Sequence, residues 1–160
     1  MNELEIKIKV KVYKGLPDLK PEDVALMQAA KDALINSYAP YSGFKVAAAV
    51  LLSNGEILTG TNQENASYPA GLCAEATVFS AASAMHPNIA VKKMAVTVKS
   101  ANRIVAHPVS PCGICRQRIL EYETRFNSDI EIMMMGEEGE VYSVNSIKDL
   151  LPLHFSKADL

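Results

Sequence analysis

Phe44-Lys45-Val46-Ala47-Ala48-Ala49-Val50-Leu51-Leu52-Ser53-Asn54-Gly55-Glu56-Ile57-Leu58-Thr59-Gly60-Thr61 places two apolar runs either side of an Asn-Gly dipeptide. Asn and Gly both tolerate the positive φ of a tight reversal, so the stretch predicts an antiparallel hairpin, with strands from Phe44 to Ser53 and Glu56 to Thr61. Downstream, Cys73 to Met85 is rich in Ala, with Val78 and Phe79 among them. A helix so apolar around its circumference belongs between layers. Met94 to Val98 reads as a buried strand, Gly113 to Tyr122 as a helix, Ile130 to Met135 and Val141 to Val144 as strands, and Ser146 to Leu151 as a short helix stopped by Pro152. Upstream, Pro21-Glu22-Asp23 opens a helix whose apolar positions are Val24, Met27, Ala30, Ala33 and Leu34, ending near Tyr38 ahead of Pro40. The alternation from Leu4 to Val12 predicts one more strand, with Lys7, Lys9 and Lys11 on a solvated face that discourages edge-to-edge pairing. Strands and helices mixed in this order imply an α/β fold with helices on both faces of a sheet.

The rest of the chain narrows the class. Its 160 residues are 49% hydrophobic and 21% charged, which suits one domain spanning 1–160 with a core of its own and no disulfide staple. No repeat or flexible linker divides it. The longest apolar run, Val46 to Leu52, is far short of the ~20 residues that cross a bilayer, so a membrane role is excluded. A net charge of −2 offers no field for a polyanion, and nucleic acid is not an expected partner. The N-terminal MNELEIKIKV lacks the apolar centre and small-residue cleavage site of a secretory signal, which points to the cytoplasm and to reduced thiols. The three cysteines cannot all pair with one another.

Cys73 stands at the start of one predicted helix, and Pro111-Cys112-Gly113-Ile114-Cys115 at the start of another. A Cys-x-x-Cys turn at a helix start aims two sulfurs at one point, and the helix N-terminus favours their thiolate forms. Three such ligands leave one corner of a zinc tetrahedron open for water, as catalytic sites do. A thioredoxin-like redox pair would leave Cys73 unexplained. A closed structural zinc with His107 as fourth ligand would need a short, proline-punctuated segment to turn back. Three merely buried cysteines would leave Glu75 unexplained: it lies two residues after Cys73 amid Leu72, Ala74, Ala76, Val78 and Phe79, where a buried carboxylate without a task is costly. At the helix entry it could reach the open side of the metal and act as general acid and base in one group.

Cys73-Ala74-Glu75 followed by Pro111-Cys112-x-x-Cys115 is the pattern of zinc nucleoside and nucleobase deaminases. The segments Tyr38-Ala39-Pro40-Tyr41-Ser42-Gly43-Phe44-Lys45-Val46, Gly60-Thr61-Asn62-Gln63-Glu64-Asn65-Ala66-Ser67-Tyr68-Pro69, Pro111 to Gln117 and Leu150-Leu151-Pro152-Leu153-His154-Phe155 resemble cytidine deaminase in order and spacing, over about Val24 to Phe155. The resemblance implies a three-layer α/β/α fold with a mixed five-stranded sheet, residues 1–16 being an extra N-terminal strand outside the core pattern. It also implies one Zn²⁺ per chain held by Cys73, Cys112 and Cys115, and hydrolytic deamination of cytidine and 2′-deoxycytidine in pyrimidine salvage. Glu75 would pass protons to N3 and to the departing 4-amino group. Phe44 would stack on the pyrimidine, Asn62 and Glu64 would hold the ribose 3′-hydroxyl, and the Ala74 N–H would meet the base carbonyl. The three-cysteine branch is homotetrameric, and Ala66, Tyr68 and Phe155 would reach into a neighbouring subunit's site. Without the resemblance, Phe155 reads as a C-terminal core anchor.

Ala76 departs from the pattern, because cytidine deaminases usually carry Arg after the catalytic Glu. Three thiolates on Zn²⁺ sum to −1, and a cation hydrogen-bonded to the sulfurs would restore acidity to the water. The expectation is lowered but persistent activity, with Arg116 supplying part of the missing charge. Cys-Ala-Glu-Ala also resembles blasticidin S deaminase, which acts on a cytosine-bearing antibiotic, whereas Asn62-x-Glu64-Asn65 suits a ribose. A non-catalytic zinc protein that keeps the fold is the rival from another class. A second departure, Ala47 where Gly is frequent, adds a methyl beside Phe44.

Overall fold

The computed structural model describes all 160 residues. Six strands form one mixed sheet: β1 (Lys11–Tyr13), β2 (Phe44–Leu52), β3 (Ile57–Thr61), β4 (Val91–Ser100), β5 (Glu131–Met135) and β6 (Val141–Val144). They are ordered β1-β6-β5-β4-β2-β3. Only β4 and β5 run parallel, and the helix between them in sequence, α3 (Gly113–Phe126), makes that crossover. The other neighbours are antiparallel. The remaining helices are α1 (Pro21–Ala33) and α2 (Ala74–Met85).

The pleat sorts side chains into two cores. Ala48, Val50, Met94, Val96, Ile132 and Met134 project to the side where α2 contributes Val78, Phe79 and Ala82 and α3 contributes Ile119 and Leu120. Their neighbours Ala49, Ala95 and Met133 project to the opposite side, against Leu26, Met27 and Ala30 of α1. Helices therefore cover both faces, as expected for an α/β/α arrangement. Small residues on β2 allow this, since Ala47, Ala48 and Ala49 are fully buried and hold helices close on both sides.

The hairpin β2–β3 forms with Ala47 opposite Thr61 and Leu51 opposite Ile57. Its turn uses one positive φ, +90° at Gly55. Helix α3 runs four residues past the expected Tyr122 and stops where Asn127 adopts the left-handed conformation, φ 46°. Helix α1 ends at Ala33 and tightens into a 3-10 turn over Leu34–Asn36, and Ile147–Leu150 is likewise 3-10. The N-terminal strand is shorter than the alternation predicts. Only Lys11–Tyr13 pairs, with Val141–Ser143 of β6, and residues 1–10 are exposed and outside any strand. Strand β6 is four residues long and ends at Val144, one residue past the outermost pair. That pairing still adds a strand, so the sheet has six rather than five.

Candidate active site

Two helix entrances meet at the site. Cys73 is the N-cap of α2 and Cys112 the N-cap of α3, both with extended backbone and no side-chain cap of their own. Cys115, one turn into α3, is fully buried. The three sulfurs lie within 4.8 Å of one another, and Cys73 Sγ is 3.9 Å from Cys112 Sγ. Zinc–sulfur bonds of about 2.3 Å place tetrahedral ligands about 3.8 Å apart, so the donor set fits a zinc ion in chemistry and in spacing. Both helix dipoles direct positive potential at the sulfurs. A hydrogen bond from Cys115 draws the Cys73 thiol down to about 6. The same bond, burial and the neighbouring negative charges push the Cys115 thiol up. A divalent cation reverses that balance, because it binds the deprotonated sulfur.

Elements away from the sulfurs fix their positions. A Cβ on Gly60 of β3 would lie 2.8 Å from the Ala74 carbonyl oxygen and 2.5 Å from the Val78 nitrogen, so a hydrogen there lets the first turns of α2 rest on the hairpin. Gly136, just past β5, has the same role for the loop leading to Cys112. A Cβ there would lie 2.1 Å from the Val105 carbonyl, and the Glu137 N–H donates to that carbonyl at 2.7 Å. Arg116 clamps the end of the same loop. Its guanidinium donates to the Pro111 carbonyl at 2.8 Å, the Leu150 carbonyl at 2.7 Å and Ser110 Oγ at 2.9 Å. All three guanidinium nitrogens are thus engaged away from the sulfurs, so Arg116 does not hydrogen-bond them as a charge-restoring cation would. The cation acting on Cys73 is Arg118.

A cavity of about 630 Å³ opens over the sulfurs, within the range of small-molecule sites. Cys73, Ala74, Glu75 and Cys112 line it, and Ala74 is fully buried at the start of α2. Glu75 is 5% exposed, and burial pushes its carboxyl above the usual range, which suits a group that must hold and release a proton. On the far side, Asn62 accepts from the Val46 N–H at 2.8 Å and donates to the Phe44 carbonyl at 2.9 Å, binding the loop after β3 to the start of β2. The Glu64 carboxylate accepts from the Ser42 hydroxyl and from the Tyr41 and Ser42 N–H groups, which hold its carboxyl below the usual range. Asn62, Glu64 and Tyr68 all line the cavity.

Phe44, Ala66 and Phe155 do not line it within one chain. Phe44 sits at the first position of β2, two residues before Val46, which does face the cavity. Phe155 is 59% exposed, so it is not a core anchor; its carbonyl accepts from Gln117 at 2.9 Å. His107 is exposed and outside the sulfur cluster, which removes it as a fourth ligand. Sequence reasoning passed over Ser42, Leu72, Val109 and Ser110 as lining residues. They stand in irregular segments where no periodicity marks a face, though Val109 and Ser110 directly precede Pro111-Cys112.

This chain belongs to the deaminase family defined by the cytidine and deoxycytidylate deaminase zinc-binding region, whose family model matches residues 20–127. Among individual proteins it is similar to the cytidine deaminase of Sporosarcina psychrophila, 37% identical over 135 residues that cover 84% of this chain and 92% of that protein. The cytidine deaminase of Halalkalibacterium halodurans is 32% identical, over 84% of this chain and 95% of that one. The crystal structure of cytidine deaminase from Burkholderia pseudomallei superposes with a TM-score of 0.71 at 37% identity, covering 82% of this chain and 97% of that one. The matched zinc-binding region includes all three cysteines and Glu75, and the sulfur triad is suited to hold one metal ion. No helix is long and apolar enough to cross a membrane.

Proposed function

We propose that this protein hydrolyses cytidine and 2′-deoxycytidine to uridine and 2′-deoxyuridine with release of ammonia, in pyrimidine salvage. The observation that carries the reading is Glu75: a buried carboxyl two residues from one sulfur of a three-cysteine cluster, facing a cavity sized for a nucleoside. Cys73, Cys112 and Cys115 hold one zinc per chain. When bound, zinc supplies a Lewis acid that makes water nucleophilic near neutral pH. Glu75 would take one proton from the attacking water and pass it to ring N3 as the water oxygen bonds to C4, then move the remaining hydroxyl proton to the 4-amino nitrogen as the C4–N bond breaks and ammonia leaves. The Ala74 N–H, at the positive end of α2, receives the base carbonyl. Asn62 and Glu64 hold the ribose 3′-hydroxyl, and Phe44 stacks on the pyrimidine as the substrate enters.

The chain works as one domain over 1–160, in the cytoplasm, without nucleic acid, and as a homotetramer with shared active sites. Exposed Tyr68 and Phe155 support that assembly, since both present aromatic surface that one chain leaves uncovered. In the tetramer Ala66, Tyr68 and Phe155 complete a neighbour's site. Ammonia release is followed with cytidine, deoxycytidine, blasticidin S and single-stranded DNA. Turnover of both nucleosides is expected, and turnover of the antibiotic alone would overturn the assignment. Glu75→Gln should lose at least about 10²-fold in kcat while keeping its zinc and its assembly. If neither the parent nor the variant turns over any of the four, a zinc protein without catalysis is the better reading.

A further inference from the structure

Residues 1–10 carry a pattern that the fold leaves unused. Leu4, Ile6, Ile8, Val10 and Val12 alternate with Glu3, Glu5, Lys7, Lys9 and Lys11, and the five apolar side chains are 41–78% exposed. Lys7 Nζ lies 3.6 Å from the Glu5 carboxylate, which places these alternate residues on one side of an extended segment. The segment leads into β1, the edge strand of the sheet. The β1–β6 pairing carries Lys11 to Ser143, so continuing it brings Val10 to Val144, the last residue of β6. From Lys9 outward the arm has no partner strand, and it has the alternation that a half-buried strand requires.

We infer that this arm pairs antiparallel with the arm of a second copy of the chain, across a twofold axis at Ile6. Two equal strands paired antiparallel make the isologous contact of a symmetric dimer, and the charges select its register. Side chains stay on matching faces only when the two opposed residue numbers sum to an even value. With Ile6 opposite Ile6, Glu5 meets Lys7, Glu3 meets Lys9 and Leu4 meets Ile8. Moving the axis to Glu5 or Lys7 sets that residue against its own copy, and moving it to Ile8 sets Lys7 against Lys9; like charges directly opposed are destabilising. Among these registers only the Ile6 axis pairs every acid with a lysine and sets no like charges opposite each other. The lysines that would otherwise protect an edge against association thus serve as half of a self-complementary code. The contact is separate from the deaminase site and independent of the proposed activity and tetramer.

Disulfide trapping in the full-length, zinc-loaded protein tests this. Under oxidised glutathione, Ile6→Cys should form an interchain dimer on a non-reducing gel. Lys9→Cys should not link to itself, because its partner is Glu3, and the parent controls for the native cysteines. In the Ile6→Cys background, Glu3→Lys/Glu5→Lys should reduce the trapped fraction at least tenfold, and adding Lys7→Glu/Lys9→Glu should restore it. The fully inverted arm should link to itself and not to the parent arm. An Ile6→Cys chain that stays monomeric on the gel, equal trapping of Ile6→Cys and Lys9→Cys, or indifference to the charge reversal would overturn the proposal. The arm lies outside the core, so none of these variants puts folding at issue.

Discussion

The Val78 nitrogen of α2 sits 2.5 Å from where a Cβ on Gly60 of β3 would project. The obstacle is helix backbone, which cannot step aside as a side-chain end can. The approach also holds the α2 turn that carries Cys73, Ala74 and Glu75 against the hairpin.

Gly60→Ala should therefore cost about 1–3 kcal/mol by overpacking, read as a fall in Tm, and should reduce zinc affinity as the start of α2 shifts. A variant that melts like the parent with full metal content would show that the hairpin and helix are not in forced contact.

Arg116 holds the loop before Cys112 by three hydrogen bonds, to Pro111, Leu150 and Ser110. Arg116→Ala frees that loop. Supports of this kind are worth about 10- to 100-fold in metal affinity, and competition with a chelator should show a loss of that size. Arg116→Lys should recover little, since one ammonium cannot span three acceptors in a planar fork.

Glu123 anchors the far end of α3. Its buried carboxylate accepts from the Ile130 N–H at 2.9 Å, the Ile147 N–H at 3.0 Å and Ser146 Oγ at 2.8 Å. Glu123→Ala strands these buried donors, and at about 1–3 kcal/mol for each unsatisfied group it should be among the most destabilising changes in the chain. Activity per folded molecule should hold, because the residue lies two helical turns from Cys115.

Glu131 gives a pH dependence with a definite sign. Burial raises its carboxyl, but hydrogen bonds from Ser143 and Lys11 and the charges of Lys11 and Lys93 outweigh this and leave it below the usual range. A depressed folded-state value stabilises the protein above the unfolded carboxylate range and is lost as pH falls through the folded value. The Tm of Glu131→Gln should thus lie below the parent's at pH 7 and converge with it in strong acid. A gap that stays constant down to about pH 2, below the unfolded carboxylate range near 4, would assign the effect to packing.

Sheet and helices were legible wherever a period was strong. The hairpin around Asn54-Gly55, the Ala-rich α2 and the apolar runs of β4 and β5 all announce themselves by pattern. The length of β1 was not legible, because alternation records the wish for a partner and β6 is too short to supply one. The sulfur triad was readable from spacing and Glu75 from its apolar surroundings. The hydrogen bonds of Arg116 were not legible, since sequence adjacency to Cys115 says nothing about where a long side chain spends its donors. The loop residues lining the cavity were also hidden, because irregular segments carry no period that marks a face.

The convergence of two helix starts on the sulfurs bears on the exchange of Arg for Ala at position 76. Part of the positive potential that favours its ligand thiolates resides in peptide dipoles, and no point substitution deletes those. Part of the affinity for a metal is in that sense built into the architecture, so a side chain beside the sulfurs can change without removing that part of it.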